Sequence, residues 1–207
     1  MAKTADNLDL LNRASSVKFS DLIFETLSEK TPTEQESKLF ELILNLSIDH
    51  GPDTPSATKV IETAKSGLTI SQAVAAGITE INDTHGGAAE PLMEILYQIQ
   101  SSKFKVQNLI EEYLREGKRL PGFGHRLYKD VDPRAQLILT SIESEFKGIV
   151  LEMESELEKQ KGVKLPINID GAIAVVLCSF GWEPRLGKAV FISSRASGLC
   201  THYLNNS

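Results

Sequence analysis

Apolar residues recur every three or four positions along most of this chain, and this helical period limits the fold more than any other feature. Residues 38–48, with the sequence KLFELILNLSI, show it as one broad apolar stripe. Alternating patterns typical of half-buried strands are missing, apart from a short candidate at residues 165–169. The sequence therefore predicts an all-α fold.

Interruptions of this period define the predicted helices. We predict them at residues 38–48, 56–67, 68–81, 91–99, 104–115, 133–161, 171–180 and 184–204. Asp132 is a candidate N-cap for the longest helix, and Asp170 for the helix that follows it. The small side chains of residues 68–81 predict close packing on another backbone, within the chain or in a partner.

Length and charge exclude several classes of protein. With 207 residues, 41% of them hydrophobic, the chain predicts one globular domain, or a large lobe with a smaller one inserted. We expect no nucleic-acid partner, because the net charge is −6 and the cations form no obvious cluster. No apolar run is long enough for a membrane span or a secretory signal, so we expect a cytoplasmic protein. Cys178 and Cys200 show no C-x-x-C spacing, which favours reduced thiols.

Three of the four histidines stand beside glycine in predicted loops. They are His50, His85 and His125. A loop at a helix end offers free backbone groups to a ligand, and glycine lets that ligand come close. Because both residues are also common in turns, a purely structural role stays open for each histidine. The spacings of zinc sites and of the hydrolase nucleophile elbow are missing, so we expect no metal.

Two arginines and one aspartate complete the candidate site. Arg195 falls inside an apolar helix, where a cation is costly unless an anion meets it, and Arg134 follows Asp132-Pro133 at a helix start. Because a guanidinium holds a carboxylate with two parallel bonds, the pair predicts a substrate with at least two carboxylates. The histidines could polarise carbonyls, and Asp170 could remove a proton from carbon.

Residues 121–136, PGFGHRLYKDVDPRAQ, resemble the signature of the citrate synthase superfamily, in which P-G-F/Y-G-H is followed after six residues by D-P-R. Four further motifs of the family occur along the chain in the family's order. Two precede this segment, Asp49-His50 and His85-Gly86-Gly87-Ala88, and two come after it, Asn168-Ile169-Asp170 and Ser194-Arg195 with Gly198 to Leu204. The resemblance implies a large helical lobe of residues 1–87 and 168–207. Residues 88–167 would form a small lobe that closes over the substrates.

The resemblance also implies roles for the candidate residues. Asp170 would take a methyl proton from an acetyl thioester, and His85 would stabilise the resulting enol. His125 would donate to the ketone oxygen of oxaloacetate, whose carboxylates would be held by His50, Arg134 and Arg195. Coenzyme A would contact Pro121, Gly122, Phe123 and Gly124 with its adenine, and Lys164, Lys161 or Lys129 with its phosphates. A solvated surface role stays open for these lysines.

Two branches of the superfamily share features with this sequence. The D-H-G-P loop and His202-Tyr203-Leu204 resemble citryl-CoA lyase and the C-terminal module of ATP-citrate lyase, whereas His85 resembles the synthases. Because the sequence stops at Ser207, before a segment that supplies a further arginine in synthases, we expect a citryl-CoA lyase. A minimal citrate synthase, a relative with another oxoacid and a non-catalytic assembly subunit stay open.

The resemblance implies partners as well as chemistry. Coenzyme A thioester and oxaloacetate would be substrates, and no tightly bound cofactor is expected. Family members are dimers, so we expect a homodimer, with a larger citrate-activating partner as a further possibility.

Overall fold

Helices and their connections account for the whole described structure. The computed structural model describes residues 10–101 and 105–207. These residues form eleven helices: α1 Leu10–Arg13, α2 Phe19–Ser28, α3 Glu34–Ser47, α4 Pro55–Lys65, α5 Ile70–Thr79, α6 Ala89–Ser101, α7 Val106–Arg115, α8 Pro133–Thr140, α9 Glu145–Lys161, α10 Ile169–Ser179 and α11 Leu186–Leu204. Within these ranges there is no β-sheet, only isolated bridges. The all-α prediction is confirmed.

The helix predicted at residues 133–161 is two helices, so that prediction is wrong. Asp132 caps the first as expected, since its side chain accepts a hydrogen bond from the Arg134 backbone N–H. The break follows Thr140, and Ser144 starts the second helix by accepting a hydrogen bond from the backbone N–H of Lys147. A serine that satisfies a free N–H of a new helix favours a boundary over continuation.

Asp170 is not the N-cap of α10, contrary to prediction. Asn168 holds that position, and its side-chain oxygen accepts a hydrogen bond from Gly171 N–H. The Asp170 side chain is therefore not committed to capping. The candidate strand at residues 165–169 forms only an isolated bridge, between Phe123 and Ile167. The predicted helix start at residue 104 lies outside the described residues, as do residues 1–9 of the predicted large lobe.

Helix α10 is central to the core. All of its residues from Ile169 to Cys178 are buried, and it packs against α3, α6, α8, α9 and α11. A helix that is apolar on every side needs such surroundings. The first two residues of this helix, Ile169 and Asp170, line the cleft described below, so the N-terminal end of α10 forms one of its walls.

The close packing predicted for residues 68–81 occurs within the chain. A Cβ on Gly77 would lie 2.5 Å from Cγ2 of Val60 and 2.8 Å from the carbonyl oxygen of Ser56, so only glycine lets α5 approach α4 this closely. Helix α11 packs against both. None of the helices in the described part of the chain has the length and hydrophobicity needed to cross a membrane.

Candidate active site

Six predicted side chains meet at one cleft of about 1180 Å³. They are His50, His85, His125, Arg134, Asp170 and Arg195. Loops after α3 and α5 and the loop before α8 carry the histidines, while α8, α10 and α11 carry the other three residues. Residues that are up to about 145 positions apart in sequence therefore face the same space.

His85 is held as a neutral imidazole by the start of α4. The backbone N–H of Ser56 donates to Nε2 of His85 at 3.4 Å, and the Ser56 hydroxyl oxygen lies 2.9 Å from the same nitrogen. Burial, with the Arg195 cation, lowers the pKa of His85 to about 4. An Nε2 that accepts a hydrogen bond leaves the proton on Nδ1, so neutral His85 can donate from that atom.

Asp170 is a buried carboxylate with one free oxygen. Burial raises its pKa to about 6, although Arg134, Arg195 and the Gly86 backbone act in the opposite direction. Its Oδ1 is buried and has no hydrogen-bond partner among the described residues. A carboxylate with a pKa near neutrality and an unused oxygen is suited to exchange a proton with a ligand.

Arg195 is a buried cation that lacks a full set of acceptors. Only 2% of the residue is exposed, and its Nε donates to the carbonyl oxygen of Ser47 at 2.9 Å. Its Nη1 is buried without a partner in the described chain, and its guanidinium lies 4.7 Å from the ring centre of Phe191. Burial lowers the pKa of Arg195 to about 10, so it stays charged at neutral pH. An anion in the cleft would complete its contacts.

Arg134 and His125 each direct one N–H donor, from Nη2 and Nε2 respectively, toward the other. Asp132 holds Arg134 through Nε at 3.0 Å and Nη2 at 2.7 Å. Nδ1 of His125 accepts the backbone N–H groups of Leu127 and Tyr128, at 3.0 and 3.1 Å, so its proton lies on Nε2. That Nε2 is 3.4 Å from Nη2 of Arg134. Two facing donors favour an acceptor between them, such as a ligand oxygen.

His50 lies beside His125, with their ring centres 5.0 Å apart. Burial and the nearby Arg134 lower the pKa of His50 to about 4, so the ring is neutral near pH 7. Its Nε2 is buried and has no partner within the described residues. This nitrogen is available to a ligand in the cleft.

The predicted coenzyme A residues are only partly placed at the cleft. Pro121, Gly122, Phe123 and Gly124 line it, as do Lys129 and Lys161. Lys164 does not line it: α9 ends at Lys161, with Gly162 in a left-handed conformation as its C-cap, and Lys164 lies in the exposed connection beyond.

Other cations that line the cleft were not predicted: Lys118, Arg119 and Arg126. The signal was present, since Lys118 and Arg119 directly precede Pro121 and Arg126 follows His125. Lys118 pairs with Glu116. In the described part of the chain, no three His, Cys, Asp or Glu side chains are grouped as a metal site requires.

A helical protein with one buried and one half-buried arginine, neutral histidines and a carboxylate of raised pKa around one cleft has the features of a site for acid–base chemistry on a polycarboxylate. The chain belongs to the citrate synthase family: the family pattern described as "Citrate synthase, C-terminal domain" matches residues 3–207. The recognition made from the signature of residues 121–136 is thereby confirmed.

Similar proteins fall in both branches seen in the sequence. A citrate synthase from Heyndrickxia coagulans is 34% identical over 191 residues, which are 86% of this chain and 49% of that protein. The solved structure of citryl-CoA lyase from Hydrogenobacter thermophilus is 37% identical, with a TM-score of 0.88 over 95% of this chain and 79% of that one.

A more distant structure shares the fold. It is an ATP citrate lyase from Methanosaeta concilii in complex with (3S)-citryl-CoA, with 22% identity and a TM-score of 0.85. The match covers 96% of this chain and 35% of that one. The chain thus spans about half the length of the citrate synthase it matches, and a smaller part of the ATP citrate lyase.

Proposed function

We propose that this chain makes and breaks the carbon–carbon bond of citryl-CoA, with acetyl-CoA and oxaloacetate as the cleavage products. The observation that carries the proposal is the presence of neutral His85 and the buried carboxylate of Asp170 at one cleft. A thioester α-proton is a very weak acid. Its removal by a carboxylate needs a fixed donor for the enolate oxygen in a site that excludes water.

In the direction of bond formation, Asp170 takes a proton from the methyl carbon of the acetyl thioester. Nδ1–H of His85 donates a hydrogen bond to the thioester oxygen as the enolate forms. The enolate carbon then attacks the ketone carbon of oxaloacetate, while Nε2–H of His125 donates a hydrogen bond to the ketone oxygen, and the resulting alkoxide takes up the proton that Asp170 removed. Cleavage is the reverse: Asp170 takes the hydroxyl proton, the carbon–carbon bond breaks, and Asp170 returns that proton to the methyl carbon.

The two arginines support a dicarboxylate as the second substrate. Arg134 is fixed by Asp132, and Arg195 by the carbonyl oxygen of Ser47, so each guanidinium is oriented before the substrate arrives. Each would meet one carboxylate of oxaloacetate, with His50 as a further donor. Pre-ordered donors of this kind lose little conformational entropy on binding.

Coenzyme A would occupy the other end of the cleft. Residues 121–124 line the cleft and would contact the adenine, and Lys118, Arg119, Lys129 and Lys161, which also line it, would provide positive charge for the phosphates. Coenzyme A would be a substrate and not a resident cofactor.

We also propose the assembly that the family resemblance implies. Residues 88–167 would close as a small lobe over the substrates, and the chain would act as a homodimer. Exposed apolar side chains such as Leu68 and Leu204 support an interface near the end of α11, where the Tyr203 hydroxyl donates a hydrogen bond to the Leu68 carbonyl oxygen.

Both cysteines are free thiols, which suits the cytoplasm. A citrate-activating partner would supply citryl-CoA.

The test uses two substrate mixtures. Purified protein is given citryl-CoA, and oxaloacetate release is followed; it is then given acetyl-CoA with oxaloacetate, and free CoA is followed. Release of oxaloacetate in the first and no CoA in the second supports the lyase. Catalytic CoA release in the second identifies a citrate synthase, the candidate favoured by the Heyndrickxia relative. No turnover, and no binding of oxaloacetate or coenzyme A by calorimetry, would contradict both and favour a non-catalytic subunit.

A further inference from the structure

Helix α11 is joined to the end of α3 and the start of the following loop by three consecutive contacts, which we call the α11 seam. Arg195 Nε donates to the carbonyl oxygen of Ser47. One turn later a Cβ on Gly198 would collide with the carbonyl oxygen of Ile48, so the two backbones touch. A further turn on, Nε2 of His202 lies 2.8 Å from Oδ1 of Asp49. The first contact belongs to the site already described, and the third does not.

Asp49 connects this seam to the turn that carries His50. Its Oδ2 accepts a hydrogen bond from the backbone N–H of Gly51 at 3.1 Å, while Oδ1 faces His202. Because an ionised carboxylate can only accept, Nε2 of His202 must be the donor. Although burial acts to raise it, the hydrogen bonds from His202 and from the backbone keep the pKa of Asp49 below its usual value. His50 therefore lies between two residues, Asp49 and Gly51, that one carboxylate ties together.

His50 has few restraints of its own. Its Nε2 has no hydrogen-bond partner in the described chain, and its ring contacts are with the aromatic rings of His125 and Tyr128. A ring without a side-chain hydrogen bond takes its position from the backbone that carries it. The order of the turn at residues 49–51 therefore decides where the unpaired nitrogen points.

We propose that His202 is a positioning residue for the oxaloacetate end of the cleft: its hydrogen bond to Asp49 fixes the turn at residues 49–51 and thereby the ring of His50. The functional part of this inference rests on the proposed function, in which His50 contacts a substrate carboxylate. His202 is not among the described residues that line the cleft, so it acts through Asp49 and not on the substrate. The His202 side chain is 12% exposed and that of Asp49 is 41% exposed, so the contact lies at the edge of the α11 seam.

The test compares three variants of the full chain. His202→Leu removes the donor, and His202→Gln keeps a donor near the position of Nε2. Tyr203→Phe is the matched control, because it removes a side-chain hydrogen bond from the same turn of α11 whose acceptor, the carbonyl oxygen of Leu68, lies in the connection between α4 and α5 and not in the turn at residues 49–51. The measurements are hydrogen exchange at the amides of residues 49–51, the Kd for oxaloacetate and the KM for the coenzyme A thioester.

We expect His202→Leu to speed exchange in the turn and to raise the Kd for oxaloacetate about tenfold or more, with the thioester KM unchanged. His202→Gln should restore both values, and Tyr203→Phe should leave both as in the wild type. Equal behaviour of His202→Leu and Tyr203→Phe would overturn the inference, and so would faster exchange with an unchanged Kd. If the wild type binds no oxaloacetate, the proposed function fails, and hydrogen exchange alone decides whether His202 orders the turn.

Discussion

The backbone N–H of Ser56 donates to Nε2 of His85, although the two residues are separated by 29 positions and belong to different helix–loop units. Ser56 is the second residue of α4, where backbone N–H groups have no partner inside the helix. The helix dipole also opposes a positive charge at this end. A histidine in this place is a neutral donor, which suits the role proposed for it, since it can donate a hydrogen bond to an enolate oxygen and keep its own proton.

This contact predicts how stability depends on pH. Folded His85 has a pKa of about 4, whereas the same group in the unfolded chain titrates near 6.5. Between these values the unfolded state binds more protons, so the free energy of unfolding falls as the pH is lowered through this window. We expect His85→Asn to show a smaller loss of stability between pH 7 and pH 4.5 than the wild type, measured by urea unfolding. An identical loss in both chains would contradict the assignment.

Asp170→Asn separates catalysis from stability. Loss of the base should lower turnover by about 10²–10⁴-fold. The folded protein should gain stability at pH 8, on the order of 2–3 kcal/mol, because a raised pKa means that the ionised form opposes folding above pH 6.

The gain should disappear well below pH 4, where Asp170 is protonated in both the folded and the unfolded chain. Urea unfolding at the two pH values measures it, with circular dichroism as the check on folding. Full activity in Asp170→Asn would remove Asp170 from the mechanism.

Arg195 predicts a link between ligand binding and thermal stability. In the wild type, oxaloacetate should raise the melting temperature, because it supplies the acceptor that Nη1 lacks in the described chain. Arg195→Met keeps the apolar stem and should lose this response, with about a hundredfold weaker binding of oxaloacetate. Arg195→Lys should not restore it, since a lysine lacks the fork that pairs with a carboxylate. An undiminished ligand-induced shift in Arg195→Met would show that the dicarboxylate binds elsewhere.

Two lysines near the end of α9 form a natural comparison. Lys161 lines the cleft and Lys164 does not. Lys161→Gln should raise the KM for a coenzyme A thioester about two- to fivefold, an effect that shrinks at high salt, because exposed ion pairs are weak and screened. Lys164→Gln should leave the KM unchanged. Initial rates at low and high ionic strength measure both, and equal effects of the two changes would contradict the placement of the phosphates.

The sequence was most informative where a residue type is unfavourable or unusual in its setting unless it binds a ligand. A charged Arg195 in an apolar helix and histidines beside glycines indicated a ligand site, and all six predicted side chains reach one cleft. It was less informative where neighbours compete for one role. Asn168 and Asp170 are both residue types that can cap α10. Asn168 is the cap because its backbone is extended there and the helix begins at the next residue, which only the structure shows.

Contacts between distant segments were beyond sequence reasoning. Ser56 shows no pattern that marks it as the partner of His85, because the pairing depends on how α4 packs against the loop after α5. The same limit applies to Lys164, which does not line the cleft although Leu165, the next residue, does. Charge alone does not reveal which way a lysine side chain on an exposed connection will point.

The contact between Gly122 and Gly171 limits how this site can change during evolution. A Cβ on Gly171 would lie 2.5 Å from the carbonyl oxygen of Gly122, and one on Gly122 would lie 3.0 Å from Cα of Gly171. Any larger residue at either position must separate the loop of residues 121–124 from the helix that presents Asp170. A sequence that keeps the histidines and arginines but has lost one of these glycines is therefore expected to encode an inactive relative, which gives a simple criterion for sorting newly sequenced homologues.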